Sequence, residues 1–396
     1  MEVVSLHETP GRAPVYTGIL PCQKITEMVA TGEIASVPIL SGDERIQQDQ
    51  IQPASIDLCL GDFAYPVDAS FLPGKGTKVW DKMRALDADF ESFGMDLRKG
   101  AVLERGRLYV IPPRESIRLR SDVAAFANPK SSTGRLDILT RLIADEATLF
   151  DQVEEGYEGQ LYLEVAPRTF SVVVRTGTRL NQLRFRRSTR GAEPRAITSA
   201  DWKQMLNEGQ VANTSDVNDK TGHLPFSIDL VGTGVDGCLI GWRAKKHTRR
   251  IDLDRRNYDP FEFWEPIRFQ RNAALVLDPD EFYILMTKEA IAVPPDFAAE
   301  MLPYDTRAGE FRVHYAGFFD PGFGWDPISR KAGSSRGVLE VRSHEVPFVL
   351  EHGQRVGWLR YERMAERPQA LYGREIASNY QGQELKLAKQ FKPPVL

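Results

Sequence analysis

Residues 128–135 are Asn-Pro-Lys-Ser-Ser-Thr-Gly-Arg, a polar stretch between segments that are typical of β-strands. Hydroxyl groups and backbone N–H groups at a glycine-bearing turn can cradle phosphate oxygens, and lysine and arginine add charge-assisted hydrogen bonds. On composition alone, a polar turn at the surface is the commoner meaning of such a stretch. Other features of the sequence are needed to distinguish these two interpretations.

A repeat runs through the chain. Five short segments of the first half recur in the same order in the second half, displaced by 172 to 177 residues. This constant order predicts a tandem duplication with a boundary near residues 190–196. The matching pairs are residues 25–34 with 202–211, 55–58 with 227–230, 115–118 with 289–292, 163–165 with 339–341, and 183–185 with 359–361.

Each copy is predicted to be mainly β. Runs of β-branched and aromatic residues bounded by Gly, Pro and Asp predict short strands, and one short amphipathic helix that ends at a glycine leads each copy. We therefore predict two distorted β-barrel or jelly-roll domains with a few short helices. The first copy spans residues 1–192, the second spans 193–373, and a tail follows at 374–396.

The composition is that of an ordinary globular protein. A formal net charge of −4 gives no general reason to expect nucleic-acid binding. The basic clusters at residues 184–190 and 243–250 are interpreted as solvated faces, with nucleic-acid contact as the alternative. Three cysteines without paired spacing favour a reducing, cytoplasmic location. We expect neither a secretory signal nor a membrane span, because no apolar run is long enough.

Glu164 lies in a predicted strand, residues 160–165, where it shares one face with Tyr162. A glutamate on a strand is most often a solvated residue of the outer face. The functional alternative is a general acid or base directed into a cleft. Spacing alone slightly favours the solvated interpretation.

Four segments, taken together in their order and spacing, resemble one family. They are residues 52–58 (Gln-Pro-Ala-Ser-Ile-Asp-Leu), 130–132 (Lys-Ser-Ser) with Arg135, 163–164 (Leu-Glu) and 378–383 (Ser-Asn-Tyr-Gln-Gly-Gln). This pattern looks like the dCTP deaminase branch of the dUTPase-like superfamily. The resemblance covers most of the first copy and, more loosely, the second.

The resemblance implies a homotrimer of dUTPase-like domains with nucleotide sites between subunits. It implies hydrolytic deamination of dCTP to dUTP and ammonia, with Mg²⁺ bound through the triphosphate. It also implies chemistry without zinc, and the sequence agrees, since it has no His-x-Glu or Cys-x-x-Cys pattern of the zinc deaminases.

The same resemblance assigns roles to individual residues. Glu164 is the implied general acid/base, which takes a proton from the attacking water and delivers one to the cytosine ring. Ser131 and Arg135 are implied to hold that water and to stabilise charge beside the base. The implied substrate-binding residues are Lys130, Ser132, Tyr372 and Gln383.

The second copy departs from the family pattern. It has Arg307 and Glu340 at the positions of Arg135 and Glu164, but Pro303 stands where Ser131 would be. We therefore predict a degenerate, structural second copy whose tail folds over a first-copy site. In that tail Asn379 replaces a lysine that the family pattern leads us to expect.

The sequence leaves two rival functions open. Residues 154–159 (Glu-Glu-Gly-Tyr-Glu-Gly) resemble the hairpin that supplies the water-activating carboxylate of dUTPases, which allows a dUTP diphosphatase or a bifunctional enzyme. The other rival is a non-catalytic nucleotide-binding module, and binding of dUTP or dTTP is also open. Ser131, Arg135 and Glu164 together in the first copy favour the enzyme.

Overall fold

The computed structural model describes residues 17–37, 45–188, 197–214, 222–235, 237–269, 271, 274–303, 311–314, 317–343, 345–373, 380–382 and 384–395. Its architecture is mainly β, with short strands and few helices, which confirms the predicted fold class. No helix within these ranges has the length and apolar character needed to cross a bilayer.

The first copy carries three helices and fifteen strands among its described residues. The helices are α1 (Cys22–Ala30), α2 (Val79–Leu86) and the single turn α3 (Ser131–Gly134), with short 3-10 turns at Gln48–Gln50 and Phe90–Phe93. The strands are β1 (Gly18–Ile19), β2 (Ile34–Ser36), β3 (Ile51–Gln52), β4 (Ser55–Cys59), β5 (Phe63–Val67), β6 (Met95–Asp96), β7 (Ala101–Leu103), β8 (Leu108–Ile111), β9 (Glu115–Arg118), β10 (Val123–Pro129), β11 (Ile138–Ala144), β12 (Gln152–Val153), β13 (Glu158–Pro167), β14 (Val172–Val174) and β15 (Arg179–Arg187).

The second copy repeats this plan with fewer elements. One helix, α4 (Ser199–Asn207), and a 3-10 turn at Pro260–Glu262 are described. Its strands are β16 (His223–Ser227), β17 (Leu239–Ala244), β18 (Ile251–Asp252), β19 (Trp264–Arg268), β20 (Leu275–Leu277), β21 (Tyr283–Ala290), β22 (Phe297–Pro303), β23 (Phe311–His314), β24 (Phe318–Phe319), β25 (Trp325–Asp326), β26 (Lys331–Ala332), β27 (Arg336–Ser343), β28 (Phe348–Leu350) and β29 (Arg355–Arg363).

The predicted leading helices are confirmed. Helix α1 buries Ile25 and Met28, and α4 buries Trp202 and Met205, so each presents one apolar face to a core. Gly32 and Gly209 follow them with φ angles of 74° and 68°, which is the left-handed conformation that commonly ends a helix.

Sheet order shows the duplication directly. In the first copy β10 pairs with β15 and β15 with β4, and in the second copy β22 pairs with β29 and β29 with β16. Likewise β13 lies between β11 and β8, and β27 lies between β23 and β21. Equivalent strands therefore occupy equivalent places, and residues of one copy can be compared with those of the other by register.

One hydrophobic core extends across both copies. First-copy residues such as Phe170 and Val172 pack in the same cluster as Trp242 and Trp264 of the second copy. Strand β14 also pairs with β18 of the second copy, in parallel. The two copies are thus fused along a shared apolar interface, which fixes how their polar surfaces meet.

A buried ion pair crosses the same interface. Arg342 donates to the Asp137 carboxylate, to Thr169 Oγ1 at 2.9 Å and to the Asp280 carbonyl oxygen at 2.8 Å. The side chain of Asp137 is only 1% exposed. The pair therefore joins a buried charge of the first copy to strand β27 of the second.

Arg342→Met should destabilise the folded chain by about 3–5 kcal/mol, because it removes a cation that is bonded to the buried Asp137 carboxylate. Urea denaturation followed by intrinsic fluorescence measures this. Arg98→Met is the control, since Arg98 and its partner Asp96 are both exposed and their separation should change the midpoint far less. Equal midpoints for the two variants would contradict the assigned role of the Arg342–Asp137 pair.

Candidate active site

A cavity of about 470 Å³ lies where the two copies and the tail meet. Its wall from the first copy includes Asp57, Lys130, Ser131, Ser132, Arg135 and Arg179. Its wall from the second copy includes Arg256, Phe318, Phe319, Asp320, Glu340 and Tyr372. The tail contributes Tyr380 and Lys389. The cavity is therefore built by one chain but by neither copy alone.

Segment 128–135 folds as the end of a strand followed by one helical turn. Strand β10 stops at Pro129, which has no N–H for a ladder, and Lys130 is extended before α3 begins. The Lys130 N–H and Thr133 Oγ1 both donate to the Leu180 carbonyl oxygen, at 2.9 and 2.8 Å. This anchoring buries Ser132 to Arg135, so the segment is not the surface turn that composition favours.

Arg135 faces a carboxylate from the other copy. Its Nε lies 3.9 Å from Glu340 Oε1, and both side chains are more than 90% buried. Glu340 sits in the middle of β27, opposite Ile284 of β21 and His314 of β23. The arginine of the first copy thus meets the glutamate that the repeat matches with Glu164.

The environment of Glu340 makes it a suitable proton carrier. Burial raises the pKa of Glu340 to about 8, although the Arg135 guanidinium acts in the opposite direction. A carboxyl group with a pKa near the working pH can both give and take a proton at low cost. Among the described lining residues, Asp320 is the other deeply buried carboxyl of the second copy, and it is paired with Arg184.

Positive charge is concentrated in one group of lining residues, here called the cationic end: Lys130, Arg179, Arg256 and Lys389. Lys130 donates to the Asp57 carboxylate, and Arg179 donates to Asp49 Oδ1 at 2.7 Å. Arg256 and Lys389 also line the cavity, and neither has an ion-pair partner among the described residues. Burial, followed by the charges of Lys130 and Arg256, lowers the pKa of Lys389. This end of the cavity is therefore arranged to receive an anion.

The tail covers the arginine. The Tyr380 ring lies 4.0 Å from the Arg135 guanidinium carbon, and its hydroxyl is 2.5 Å from Ser132 Oγ. Arg135 Nη1 also donates to the Lys386 carbonyl oxygen at 2.7 Å. The described part of the tail is thus in contact with the first-copy side of the cavity.

The same tail is part of the core. Leu387, Ala388 and Phe391 are buried, and the Phe391 ring packs 5.5 Å from the Phe263 ring. The described part of the tail therefore contributes to the fold as well as to the cavity.

An aromatic wall from the second copy closes the remaining side. Phe319 and Phe323 pack edge to face at 5.1 Å between centroids, and Tyr372 lies 5.8 Å from Phe323. Phe319 and Phe323 belong to the hairpin that contains Asp320-Pro321-Gly322-Phe323, and the Tyr372 N–H donates to the Pro321 carbonyl oxygen at 2.9 Å. Residues 154–159, the first-copy counterpart of this hairpin, do not line the cavity.

Glu164 lies elsewhere in the chain. It is fully buried in β13, directly opposite Arg141 of β11, and it accepts from Arg141 Nε at 2.8 Å. The Arg141 guanidinium stacks on Phe150 and also donates to Ser70 Oγ, which covers the glutamate. The solvated interpretation of Glu164 is therefore wrong. Its catalytic role stays a prediction, which this position outside the cavity does not support.

The structure brings most of the predicted site residues together. Lys130, Ser131, Ser132, Arg135 and Tyr372 all line the cavity, whereas Glu164 does not. Gln383, Arg307 and Asn379 lie outside the described residues. The predicted structural role of the second copy disagrees with this arrangement, because that copy supplies a glutamate, an arginine and an aromatic wall.

Sequence reasoning missed several cavity residues. Arg179, Arg256 and Lys389 come from three separate segments and belong to no motif. One pattern in the sequence pointed to Glu340. The resemblance implies sites between subunits, so in a duplicated chain the glutamate facing Arg135 is expected from the neighbouring copy.

The basic clusters are mostly satisfied by acidic neighbours. Arg243, Lys246 and Arg249 pair with Glu265, Glu281 and Glu262. Arg184 of the other cluster is buried rather than solvated. Neither cluster presents a run of unpaired cations, as far as its residues are described.

Comparison with known proteins identifies the family. The model of the 2'-deoxycytidine 5'-triphosphate deaminase (DCD) N-terminal domain matches residues 16–189. The model of the DCD C-terminal domain matches residues 198–391. The chain belongs to the dCTP deaminase family.

Solved and curated members of this family match to different extents. A crystal structure of 2'-deoxycytidine 5'-triphosphate deaminase from Agrobacterium tumefaciens is 49% identical, with a TM-score of 0.79, and the match covers 88% of this chain and 99% of that one. A dCTP deaminase of Metallosphaera sedula is 37% identical over 112 residues, 26% of this chain and 60% of that protein.

A dUMP-forming dCTP deaminase of Persephonella marina is 28% identical over 178 residues, which are 44% of this chain and 87% of that protein. The matched relative is therefore close in length to a single copy. The Agrobacterium protein, in contrast, is matched along almost its whole length by this two-copy chain, so the duplicated form is not particular to this sequence.

Proposed function

We propose that this chain catalyses the hydrolytic deamination of dCTP to dUTP and ammonia. One observation carries the proposal: Arg135 and Glu340 meet in a single cavity that is also lined by Arg256 and Lys389, which have no ion-pair partners among the described residues. Family membership gives the reaction class. A base at the glutamate end and a polyphosphate at the cationic end match the polarity of this cavity.

Glu340 is the proposed general acid and base, in place of Glu164. Its protonated carboxyl gives a proton to N3 of the cytosine ring, which makes C4 electrophilic. The resulting carboxylate takes a proton from water as the water oxygen bonds to C4. Glu340 then transfers that proton to the amino group. Finally it accepts the hydroxyl proton as the C4=O bond forms and ammonia leaves, so the cycle ends with Glu340 protonated.

Arg135 and Ser131 support these steps. Arg135 holds Glu340 at 3.9 Å and offers positive charge where negative charge develops on the oxygen bonded to C4. Ser131 lines the cavity with a hydroxyl group that can orient the attacking water. The chemistry is proposed without zinc, in line with the absence of zinc-deaminase patterns from the sequence.

The triphosphate is proposed to lie against Lys130, Arg179, Arg256 and Lys389. Mg²⁺ is proposed to arrive bound to phosphate oxygens, because the described residues contain no group of three or more His, Cys, Asp or Glu that could hold a metal ion. Asp49 and Asp57 are engaged by Arg179 and Lys130. A trimeric assembly stays a prediction.

The defining experiment is an assay of the purified chain with dCTP and Mg²⁺. Equal amounts of ammonia and dUTP support the proposal. Ammonia with dUMP and pyrophosphate identifies the bifunctional activity that the name of the Persephonella relative describes. Binding of dCTP without release of ammonia would overturn the proposal in favour of the non-catalytic module.

The pH profile offers a second check. Glu340 must start the cycle protonated, and burial raises its pKa to about 8. We therefore expect kcat/KM for dCTP to be constant near neutral pH and to fall above about pH 8. The protonated fraction decreases as pH rises, so the loss is on the alkaline side. Steady-state assays from pH 6 to about 9.5 measure it. A profile that keeps rising through pH 8 would contradict the assigned first step.

A further inference from the structure

Arg184 of the first copy reaches into the second copy. It lies on β15 and is 2% exposed. Nη1 donates to the Ala299 carbonyl oxygen at 3.1 Å, and Nη2 donates to Asp320 Oδ1 at 3.1 Å and to the Phe319 carbonyl oxygen at 3.4 Å. The guanidinium carbon also lies 4.0 Å above the Phe318 ring.

These contacts converge on the wall of the cavity. Phe318, Phe319 and Asp320 all line it, and Arg184 does not. One buried side chain of the first copy therefore holds three consecutive wall residues of the second.

The backbone of this wall is anchored mainly on either side of Phe318–Asp320: the Met301 N–H donates to the Gly317 carbonyl oxygen at 3.0 Å, and the Tyr372 N–H donates to the Pro321 carbonyl oxygen at 2.9 Å. Strand β24 is two residues long and pairs with β22 only through Ala299 and Glu300. Pro321 follows it, and Gly322 then adopts a φ of 97°, a conformation that turns the chain sharply. Between these anchors, the Asp320 carboxylate and the Phe318 ring have Arg184 as a contact that can set their position.

The charge of the Asp320 carboxylate also points to Arg184 as the residue that positions the wall. Asp320 is 10% exposed at its side chain, and Arg184 is its one ion-pair partner within the described part of the chain. Burial raises the pKa of Asp320, and Arg184 counteracts this. Without the arginine, the cavity wall would carry either an unpaired buried charge or a neutral carboxyl.

We infer that Arg184 is a positioning residue: acting through Asp320, it places the Phe318–Asp320 wall against segment 128–135 for nucleotide binding. This inference rests on the proposed function. It adds a role for the copy interface, because the side chain that sets the second-copy wall belongs to the first copy.

Replacing Arg184 by methionine tests it in the full chain. The wall contacts the nucleotide in the ground state and the transition state alike, so Arg184→Met should raise KM for dCTP about tenfold or more and change kcat by less than about threefold. Arg186→Met is the matched control, since Arg186 lies two residues along the same strand, packs on Phe126 and does not contact the wall. It should leave both constants unchanged.

A double variant of Arg184 and Asp320 distinguishes a positioning role of Arg184 from a general loss of stability. If Arg184 acts through Asp320, adding Arg184→Met to an Asp320→Asn chain should raise KM by less than about threefold, because contacting residues are not additive. Equal effects of Arg184→Met in both backgrounds would overturn the inference. So would an unchanged KM in Arg184→Met.

Two further outcomes are distinguishable. If Arg184→Met does not fold, Arg184→Lys keeps the charge but not the stacked, forked contacts, and a wild-type KM for that variant would overturn the inference. If the wild-type chain releases no ammonia from dCTP, the proposed function fails. If the wild-type chain turns over dCTP and Arg184→Met has the wild-type KM, the proposed function stands and only the inference about Arg184 fails.

Discussion

Glu340→Gln should lower kcat for dCTP deamination by about 1,000-fold, within the range that a general acid–base residue contributes. Glutamine keeps the shape of the side chain beside Arg135 but can neither give nor take the proton. Binding of dCTP should persist, because the cationic end and the aromatic wall are untouched. Single-turnover assays and calorimetric titration measure the two effects separately.

Glu164→Gln is the matched control, since it makes the same change at the equivalent position of the other copy. Glu164 is covered by Arg141 and lies outside the cavity, so this variant should keep kcat within about threefold of wild type. Some loss of thermal stability is expected because a buried ion pair is broken. The reverse pattern, with Glu164→Gln inactive and Glu340→Gln active, would restore the sequence-based assignment.

Arg256→Met should raise KM for dCTP by about 10- to 100-fold, since a charge-assisted hydrogen bond contributes about 1.5–3 kcal/mol. Arg256 lines the cationic end and has no ion-pair partner among the described residues. The change should be selective: KM for dCMP, which lacks the β- and γ-phosphates, should hardly move. Steady-state kinetics with both nucleotides measure this ratio.

Arg255→Met is the control for the loss of a positive charge. Arg255 is the adjacent residue, but it stacks on Tyr258 and does not line the cavity. Its KM for dCTP should be that of the wild type. If Arg256→Met weakened dCTP and dCMP equally, Arg256 would not be a ligand of the outer phosphates.

The fold could be predicted because its evidence is spread along the chain. Five recurring segments and the alternation of short apolar runs with turns are global patterns, and the strand order of the two copies agrees with them. Segment 128–135 could be identified as a site for a similar reason: lysine, serines and arginine are dense enough to be recognised without their partners.

The local sequence pattern could not show which of the two glutamates, Glu164 or Glu340, lies in the cavity. Glu164 and Glu340 occupy the same register in their copies, but Glu164 has Arg141 across the strand pair, whereas Glu340 has His314 at that position. An arginine at this position engages the carboxylate within its own sheet. Only the packing of the copies shows which glutamate is left to meet Arg135.

The cationic end of the cavity could not be predicted from the sequence for a different reason. Arg179 is on a strand, Arg256 follows a short strand of the second copy, and Lys389 is in the tail. Their convergence depends on tertiary structure, so no spacing in the sequence encodes it. The aromatic wall is similar, because its position depends on Arg184 from the other copy.

Co-assembly of two inactive variants tests whether one chain builds one site from its two copies. One variant carries Ser131→Ala with Arg135→Lys, and the other carries Glu340→Gln; they are unfolded together, refolded together and assayed with dCTP. If each site is completed within a chain, every site keeps one defect and the mixture stays as inactive as its components. Recovery of about a quarter of wild-type turnover, the share expected when intact halves of different chains meet at random, would show that the site lies between chains and not within one chain.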